Sequence, residues 1–185
     1  MKLNLFSKFT VKIPNDIIIF YFDRQGIIIV KGYYCNKLLY LNLKIYINKL
    51  NSLIQITEFF SKGKKNNKVK FLQGIFLTKI KQLLLEVSVI LNKKLNIFGI
   101  GYKVFLFKTN YYSLLKFKLG YCHSVYYKIN LVVYCLKAVS IFLLANSINF
   151  INQNAGVIKK FKKLNIYKNS GIFYEKEKLN ESKKL

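Results

Sequence analysis

The stretch that decides the fold is KVKFLQGIFLTKIKQLLLEV, residues Lys68–Val87. Its apolar residues Val69, Leu72, Ile75, Phe76, Ile80, Leu83, Leu84 and Val87 recur at steps of three and four, the spacing of one face of an α-helix. Lys70, Gln73, Lys81 and Gln82 fall largely on the opposite side. Asn66 or Asn67 supplies an N-cap, because a short amide side chain satisfies the free N–H groups of a first helical turn. A helix with one apolar face needs a surface to bury it against, and the flanking sequence supplies strands.

Upstream, Val11–Ile13 is short and ends at Pro14, the only proline. Ile17–Phe22 and Ile27–Lys31 are β-branched and aromatic runs around Asp23-Arg24-Gln25-Gly26, a turn with glycine where positive φ is easiest, so they form a hairpin. Leu38–Leu43, Lys44–Ile47 and Leu53–Thr57 complete a small antiparallel sheet, followed by a basic loop, Ser61–Lys65. Downstream, Leu95–Phe98, Tyr102–Phe107, Leu114–Leu119, Val125–Ile129, Leu131–Cys135 and Val139–Leu144 alternate with turns at Gly99, Gly101, Lys108-Thr109-Asn110 and Gly120. Ser147 caps a second helix whose apolar face is Ile148, Ile151, Ala155, Ile158 and Phe161 and whose last turn is basic, the favourable end for cations. The order strands, helix, strands, helix predicts an α+β chain of two tandem, similar domains, each a small, mostly antiparallel sheet covered by one helix. The expected domains are residues 1–88 and 89–174, followed by a charged tail over 175–185.

The 185 residues carry 32 Lys+Arg against 7 Asp+Glu, a formal charge of +25, together with 52% hydrophobic residues. That apolar fraction supports a packed core, and so large a positive charge on a folding chain points to a polyanionic partner. No carboxylate lies between Glu86 and Glu175, a stretch holding 13 lysines, so paired-carboxylate acid–base chemistry cannot be built there. One histidine, His123, with nothing framing a nucleophile, gives no hydrolase triad. The glycines Gly99 and Gly101 precede a strand rather than a helix, which excludes a dinucleotide fingerprint. Cys35, Cys122 and Cys135 are odd in number and widely spaced, suiting reduced thiols rather than a disulfide framework or a zinc site. Neither an enzyme, a cofactor nor a small-molecule substrate is expected.

Of the 32 basic residues only Arg24 is arginine, and Asn, Ile, Tyr, Phe and Leu abound while Trp is absent. These are residues of A/T-rich codons, which suggests an A/T-rich, organellar genome. The start, Met1–Thr10, has neither a secretory apolar core nor an Arg- and Ser-rich leader, so synthesis inside the organelle is expected. The longest uncharged run, Ala138–Ile158, carries seven Ser, Asn and Gln residues, too polar for a span of about 20 apolar residues. The alternative from another class is a basic protein that holds anionic lipid at a membrane surface.

Several segments resemble one family, the bacterial-type large-subunit ribosomal protein L-six (universal ribosomal protein uL-six). LNIFGIGYK, Leu95–Lys103, is similar to that family's stretch ending G-V-G-Y-R/K. LGYCH, Leu119–His123, is similar to its L-G-Y/F-S-H. NQNAGVIKKFK, Asn152–Lys162, and IYKNSGIFYE, Ile166–Glu175, resemble its G-Q-x-A-A-x-I-R-x-x-R and P-Y-K-G-K-G-I-x-Y-x-E. Leu72-Gln73-Gly74 looks like its A-L-H-G before a helix, and Ile13-Pro14 through Val30-Lys31-Gly32 like its opening. The motifs occur in order over nearly the whole chain. Departures are Ser124 for a proline, Leu164-Asn165-Ile166 for a proline-rich phrase, Asn169-Ser170-Gly171 for Gly-Lys-Gly, and lysines at 159 and 162 or 163 for arginines. Lysine keeps the charge for phosphate but loses the bidentate fork.

The resemblance implies two tandem α+β domains and a non-catalytic constituent of the large ribosomal subunit. It implies that the C-terminal domain binds large-subunit rRNA near the sarcin-ricin region where translation GTPases dock, among neighbouring ribosomal proteins. Carried onto this chain, the rRNA-binding residues are Gln153, Asn154, Lys159, Lys160, Lys162, Lys163, Tyr167, Lys168 and Gly171. The lysines would neutralise phosphates, Gly171 would let backbone approach RNA, and Gln153 and Asn154 would reach phosphate or ribose hydroxyls. Tyr167 either stacks or packs. Lys62, Lys64 and Lys65 are either solvated or a second RNA contact, and His123 is either a turn residue or an RNA contact. The expected location is a mitochondrial ribosome, with the plastid as the alternative.

Overall fold

In the computed structural model the described residues are 9–41, 43–48, 51–57, 66–165, 167–175 and 177, without the side chains of 66–70. The basic loop with Lys62, Lys64 and Lys65 lies outside them, as does the N-capping side chain sought at Asn66 or Asn67. The chain divides into two compact units, Met1–Ile90 and Leu91–Leu185, each with its own core.

The first unit contains β1 (Thr10–Lys12), β2 (Ile18–Phe22), β3 (Ile27–Lys31), β4 (Asn36–Tyr40), β5 (Ile45–Asn48), β6 (Leu53–Ile56) and α1 (Asn66–Ser88). They form two three-stranded antiparallel sheets, β1-β6-β5 and β2-β3-β4, rather than one. The predicted hairpin is present, Ile18 opposite Lys31 and Phe22 opposite Ile27. Strand alternation sends Ile28 and Val30 inward, where they meet Ile54, Ile80, Leu84 and Val87. Fully burying an aliphatic side chain of this size contributes about 1.5–3 kcal/mol.

Gln73 corrects the helical wheel. It is 1% exposed, although it was assigned to the polar side. It lies four residues after Val69 and three before Phe76, hence on their face. Its Oε1 is the one buried side-chain oxygen without a hydrogen-bond partner among the described residues. Glu86, also buried, is paired with Lys37 and accepts a 2.8 Å hydrogen bond from Gln82 Nε2. A buried carboxylate persists only when its charge is met in this way.

The second unit contains β7 (Leu91–Phe98), β8 (Lys103–Lys108), β9 (Ser113–Lys118), β10 (Val125–Ile129), β11 (Val132–Lys137), β12 (Ser140–Ala145), α2 (Ile148–Phe161) and β13 (Gly171–Tyr174). They form a four-stranded antiparallel sheet, β11-β12-β7-β13, and a three-stranded one, β10-β9-β8. The sequence reading anticipated every strand here except β13, whose four residues lie inside a motif taken for a binding loop. It pairs Gly171 with Phe98 and Tyr174 with Leu95, closing the sheet edge beside α2. Leu95, Ile97, Phe117, Ile141, Leu143, Ile158 and Ile172 form the centre of the core, all but excluded from solvent.

Both units are therefore α+β, with one helix against small antiparallel sheets. The N-cap at Ser147 has the expected extended backbone, φ −136° and ψ 127°, but its side chain makes no capping bond. Among the described residues no helix is long and apolar enough to cross a membrane.

Candidate nucleic-acid interface

Three segments distant in sequence meet at the C-terminal end of α2. The first is the β7–β8 turn, where Tyr102 folds back. Its ring lies so close that a Cβ on Gly99 would sit 2.4 Å from Tyr102 Cδ2. The second is the β9–β10 turn, where a Cβ on Gly120 would sit 3.0 Å from Tyr102 Cε1. Glycine at both places is what lets the ring lie between the two turns. The next residue, Tyr121, donates its hydroxyl to the carbonyl of Phe161, at 3.0 Å, and so ties the second turn to the last residue of α2. Lys162 completes the junction, its ammonium 4.2 Å from the Tyr121 ring centroid and 6.0 Å from that of Tyr102. Each such cation–ring contact at a half-exposed position contributes about 0.5–1 kcal/mol.

The third segment is the excursion between α2 and β13. Asn165 and Ser170 form an isolated antiparallel bridge, with Asn165 N–H donating to Ser170 O at 2.8 Å. Asn165 Oδ1 accepts from the amides of Tyr167 and Lys168 at 3.0 and 3.3 Å, the Asx-turn arrangement. The turn is thereby internally held, and its tip carries Tyr167, 95% exposed, and Lys168, also exposed. An aromatic ring and a cation on a braced tip can stack on a base and meet a phosphate.

The residues inferred from sequence fall into distinct places. Lys160, Lys163 and Lys168 are exposed and meet no carboxylate within ion-pair distance among the described residues. Gln153 is exposed on α2, and Lys162 is half-buried on the two tyrosines. His123 is exposed in the β9–β10 turn beside Tyr121. Lys159 is paired with Glu177 and lies 4.7 Å from the Tyr174 ring centroid, so its charge is already partly met.

Two placements correct the sequence reading. Asn154 is 8% exposed, accepts a 2.8 Å hydrogen bond from Tyr127 Oη, and donates one of 2.8 Å to Phe150 O. It braces α2 against β10 and presents nothing to a ligand. Burial also holds the Tyr127 phenol above its ordinary pKa. Gly171 is buried at φ +141°, and a Cβ there would come within 2.7 Å of Leu164 Cα and Lys163 O. The backbone it admits is the chain's own, not that of RNA.

Sequence reasoning placed Tyr102 at the head of a strand and gave no role to Tyr121. The signal for both was the repeated Gly-Tyr pair, Gly101-Tyr102 and Gly120-Tyr121. Among the described residues no cluster of His, Cys, Asp and Glu could hold a metal ion, and the three cysteines are free thiols. Cys122 is exposed, while burial, against the opposing charge of Lys108, raises the pKa of Cys135.

The comparisons with known proteins divide. No family model matches the chain. It is similar to the Large ribosomal subunit protein uL6 of Rhodopseudomonas palustris (strain BisB18), with 30% identity over 115 residues. The similarity covers 61% of this chain and 63% of the relative, so the chain spans less than two thirds of that protein's length. It supports kinship with the family that the motifs resemble.

Proposed function

We propose that this protein is a structural, non-catalytic constituent of the large ribosomal subunit, of the L-six family, and that its second unit binds large-subunit rRNA. One observation carries the proposal: the three motif segments that resemble the family, separated along the chain, come together on one face at the end of α2. The similarity to a ribosomal protein of that family supports it independently.

In this reading the exposed Lys160, Lys163 and Lys168 neutralise phosphates, and Lys162 adds its charge from over Tyr121. Tyr167 stacks on a base or sugar, and Gln153 and His123 lie at the margins. Four lysine–phosphate contacts give an affinity whose logarithm falls with log salt at a slope of roughly −3 to −4. The braced turn and the tyrosine junction hold the cations in place before binding, so less ordering entropy opposes it.

The finer proposal places the bound rRNA near the sarcin-ricin region, close to translation GTPases and to neighbouring ribosomal proteins, because that is where the resembled family acts. The A/T-codon bias supports an organellar ribosome, and the wide departures from the resembled motifs favour the mitochondrion over the plastid. The test is sedimentation of mitochondrial and plastid lysates at high salt with the protein tracked across the gradient. Co-migration with a salt-resistant large subunit, with crosslinks from Lys160–Lys168 into its rRNA, is the expected result. Recovery with membranes and without rRNA crosslinks would replace the proposal with anionic lipid binding.

A further inference from the structure

A second group of cations gathers where β7, β13 and α2 come together. The Tyr174 ring has the Lys93 ammonium 4.3 Å from its centroid and the Lys159 ammonium 4.7 Å from it. Glu177, from the tail, sits against this pair. Its carboxylate is ion-paired with Lys159 and accepts from the Tyr174 amide at 3.2 Å, while its own amide donates to Tyr174 O at 2.9 Å. Lys93 donates to Asn152 Oδ1 at 2.7 Å and has no ion-paired carboxylate among the described residues. Two ammonium groups and a backbone N–H thus converge where one carboxylate sits, so positive charge is left over.

Burial lowers the Lys93 pKa, Glu177 opposes that and Lys159 adds to it. For Glu177 burial works upward, but the bonds from Lys159 and the Tyr174 amide, with the charges of Lys159 and Lys93, outweigh it and hold the carboxyl below its ordinary value. Beside the cluster opens a recess of about 600 Å³, with Asn92, Phe142 and Asn152 among its walls, together with Glu177 and with Lys94 ion-paired to Glu175. Pockets of roughly 300–1,000 Å³ accommodate small organic ligands, the size class of a nucleotide. Amide, aromatic and ammonium groups are the side chains that recognise an unpaired nucleotide.

We propose that Lys93, Lys159 and the Tyr174 amide form a second phosphate cradle for RNA, which Glu177 fills as the chain's own placeholder until a backbone phosphate displaces it. The inference rests on the rRNA-binding reading and adds a site to it. A phosphodiester carries the same single charge as the carboxylate but offers two unbridged oxygens to two lysines. Its attached nucleoside enters the recess beside Phe142 and Tyr174. Glu177 then leaves the cradle, and no covalent bond is made or broken.

The experiment measures binding of the full chain to its large-subunit rRNA transcript across a salt series. It compares the natural sequence with Glu177→Gln, with Asp16→Asn, and with the pair Lys93→Gln/Glu177→Gln. Asp16 is an exposed carboxylate of the first unit, so its replacement controls for a unit change in net charge. The proposal expects Glu177→Gln to tighten binding by roughly 3- to 10-fold at a nearly unchanged salt slope, because the natural chain makes the same phosphate contact once Glu177 has left. Asp16→Asn should change affinity less than about 2-fold, and Lys93→Gln should erase the gain. Equal effects from Glu177→Gln and Asp16→Asn, or a gain that survives Lys93→Gln, would overturn the cradle while leaving the loop face standing. Absence of rRNA binding by the unsubstituted chain would instead overturn the functional reading, and the cradle with it. Thermal unfolding of each variant separates a lost site from a lost fold.

Discussion

The two units share a plan, one helix against two small antiparallel sheets, and both are basic: 15 Lys+Arg against 4 acids in the first and 17 against 3 in the second. They differ in what they do with the charge. In the first unit Lys37 pairs with the buried Glu86 and Lys44 lies 3.4 Å from Asp23, while the outward face of β2-β3-β4 shows Ile18, Phe20, Phe22, Leu38 and Tyr40. Its helix ends without a basic last turn. In the second unit lysines close the helix, sit over tyrosines brought in from two separate turns, and continue into a braced loop. Net charge therefore does not locate a polyanion site; the convergence of cations in excess of carboxylates does.

The comparison is broken or sharpened most strongly by charge removal. Replacing Lys160, Lys162, Lys163 and Lys168 together by alanine should weaken rRNA binding by roughly 10²- to 10³-fold in moderate salt and flatten the salt slope by about three to four. Lys79→Ala/Lys81→Ala in the first unit should change it by less than about 3-fold, as a filter-binding series would show. Equal losses would make the two units equivalent.

Next in size are two glycines. Gly171→Ala puts a Cβ against backbone at a φ that L-residues rarely adopt, and should destabilise the second unit by about 2–3 kcal/mol. Gly74→Ala in α1 meets nothing within 4 Å and should stabilise the first unit by about 0.8–1 kcal/mol. Opposite signs in denaturant unfolding of the two variants are the check. Comparable to the second is Tyr121→Phe, which removes the bond to Phe161 O and should cost about 1 kcal/mol. Because it also frees the turn from α2, rRNA affinity should fall with it.

The smallest expected effect is a pH dependence confined to the tail. The Glu177 pKa is depressed in the folded chain, so its stabilisation is fully present above the ordinary glutamate value. It is lost as pH falls through the lower, folded value. The amide resonance of Tyr174 should report that release on acidification.

How much of this was legible in the sequence depended on distance along the chain. The α1 periodicity and the Asp23–Gly26 hairpin were readable because helical and strand spacing and turn chemistry are local. The same spacing, applied to every residue, would have found the buried amides. Gln73 follows Val69 by four and precedes Phe76 by three, and Asn154 follows Ile151 by three and precedes Ile158 by four. Both were set aside because they are polar. The strand Gly171–Tyr174 was hidden by its shortness, and by a glycine whose φ of +141° serves a close backbone approach. The Tyr102–Tyr121–Lys162 junction was beyond local reading, since only the paired strands bring its turns together. Lys159 looked like part of a uniform basic cluster because nothing local showed that Glu177, 18 residues on, would pair with it.

The most direct test of the central claim is lysine reactivity along the full chain, free and bound in the large ribosomal subunit, read by mass spectrometry after brief acetylation. The account predicts that binding protects Lys160, Lys162, Lys163 and Lys168 together, while Lys79 and Lys81 stay reactive. Protection of the first unit's lysines with Lys160–Lys168 still exposed would contradict it.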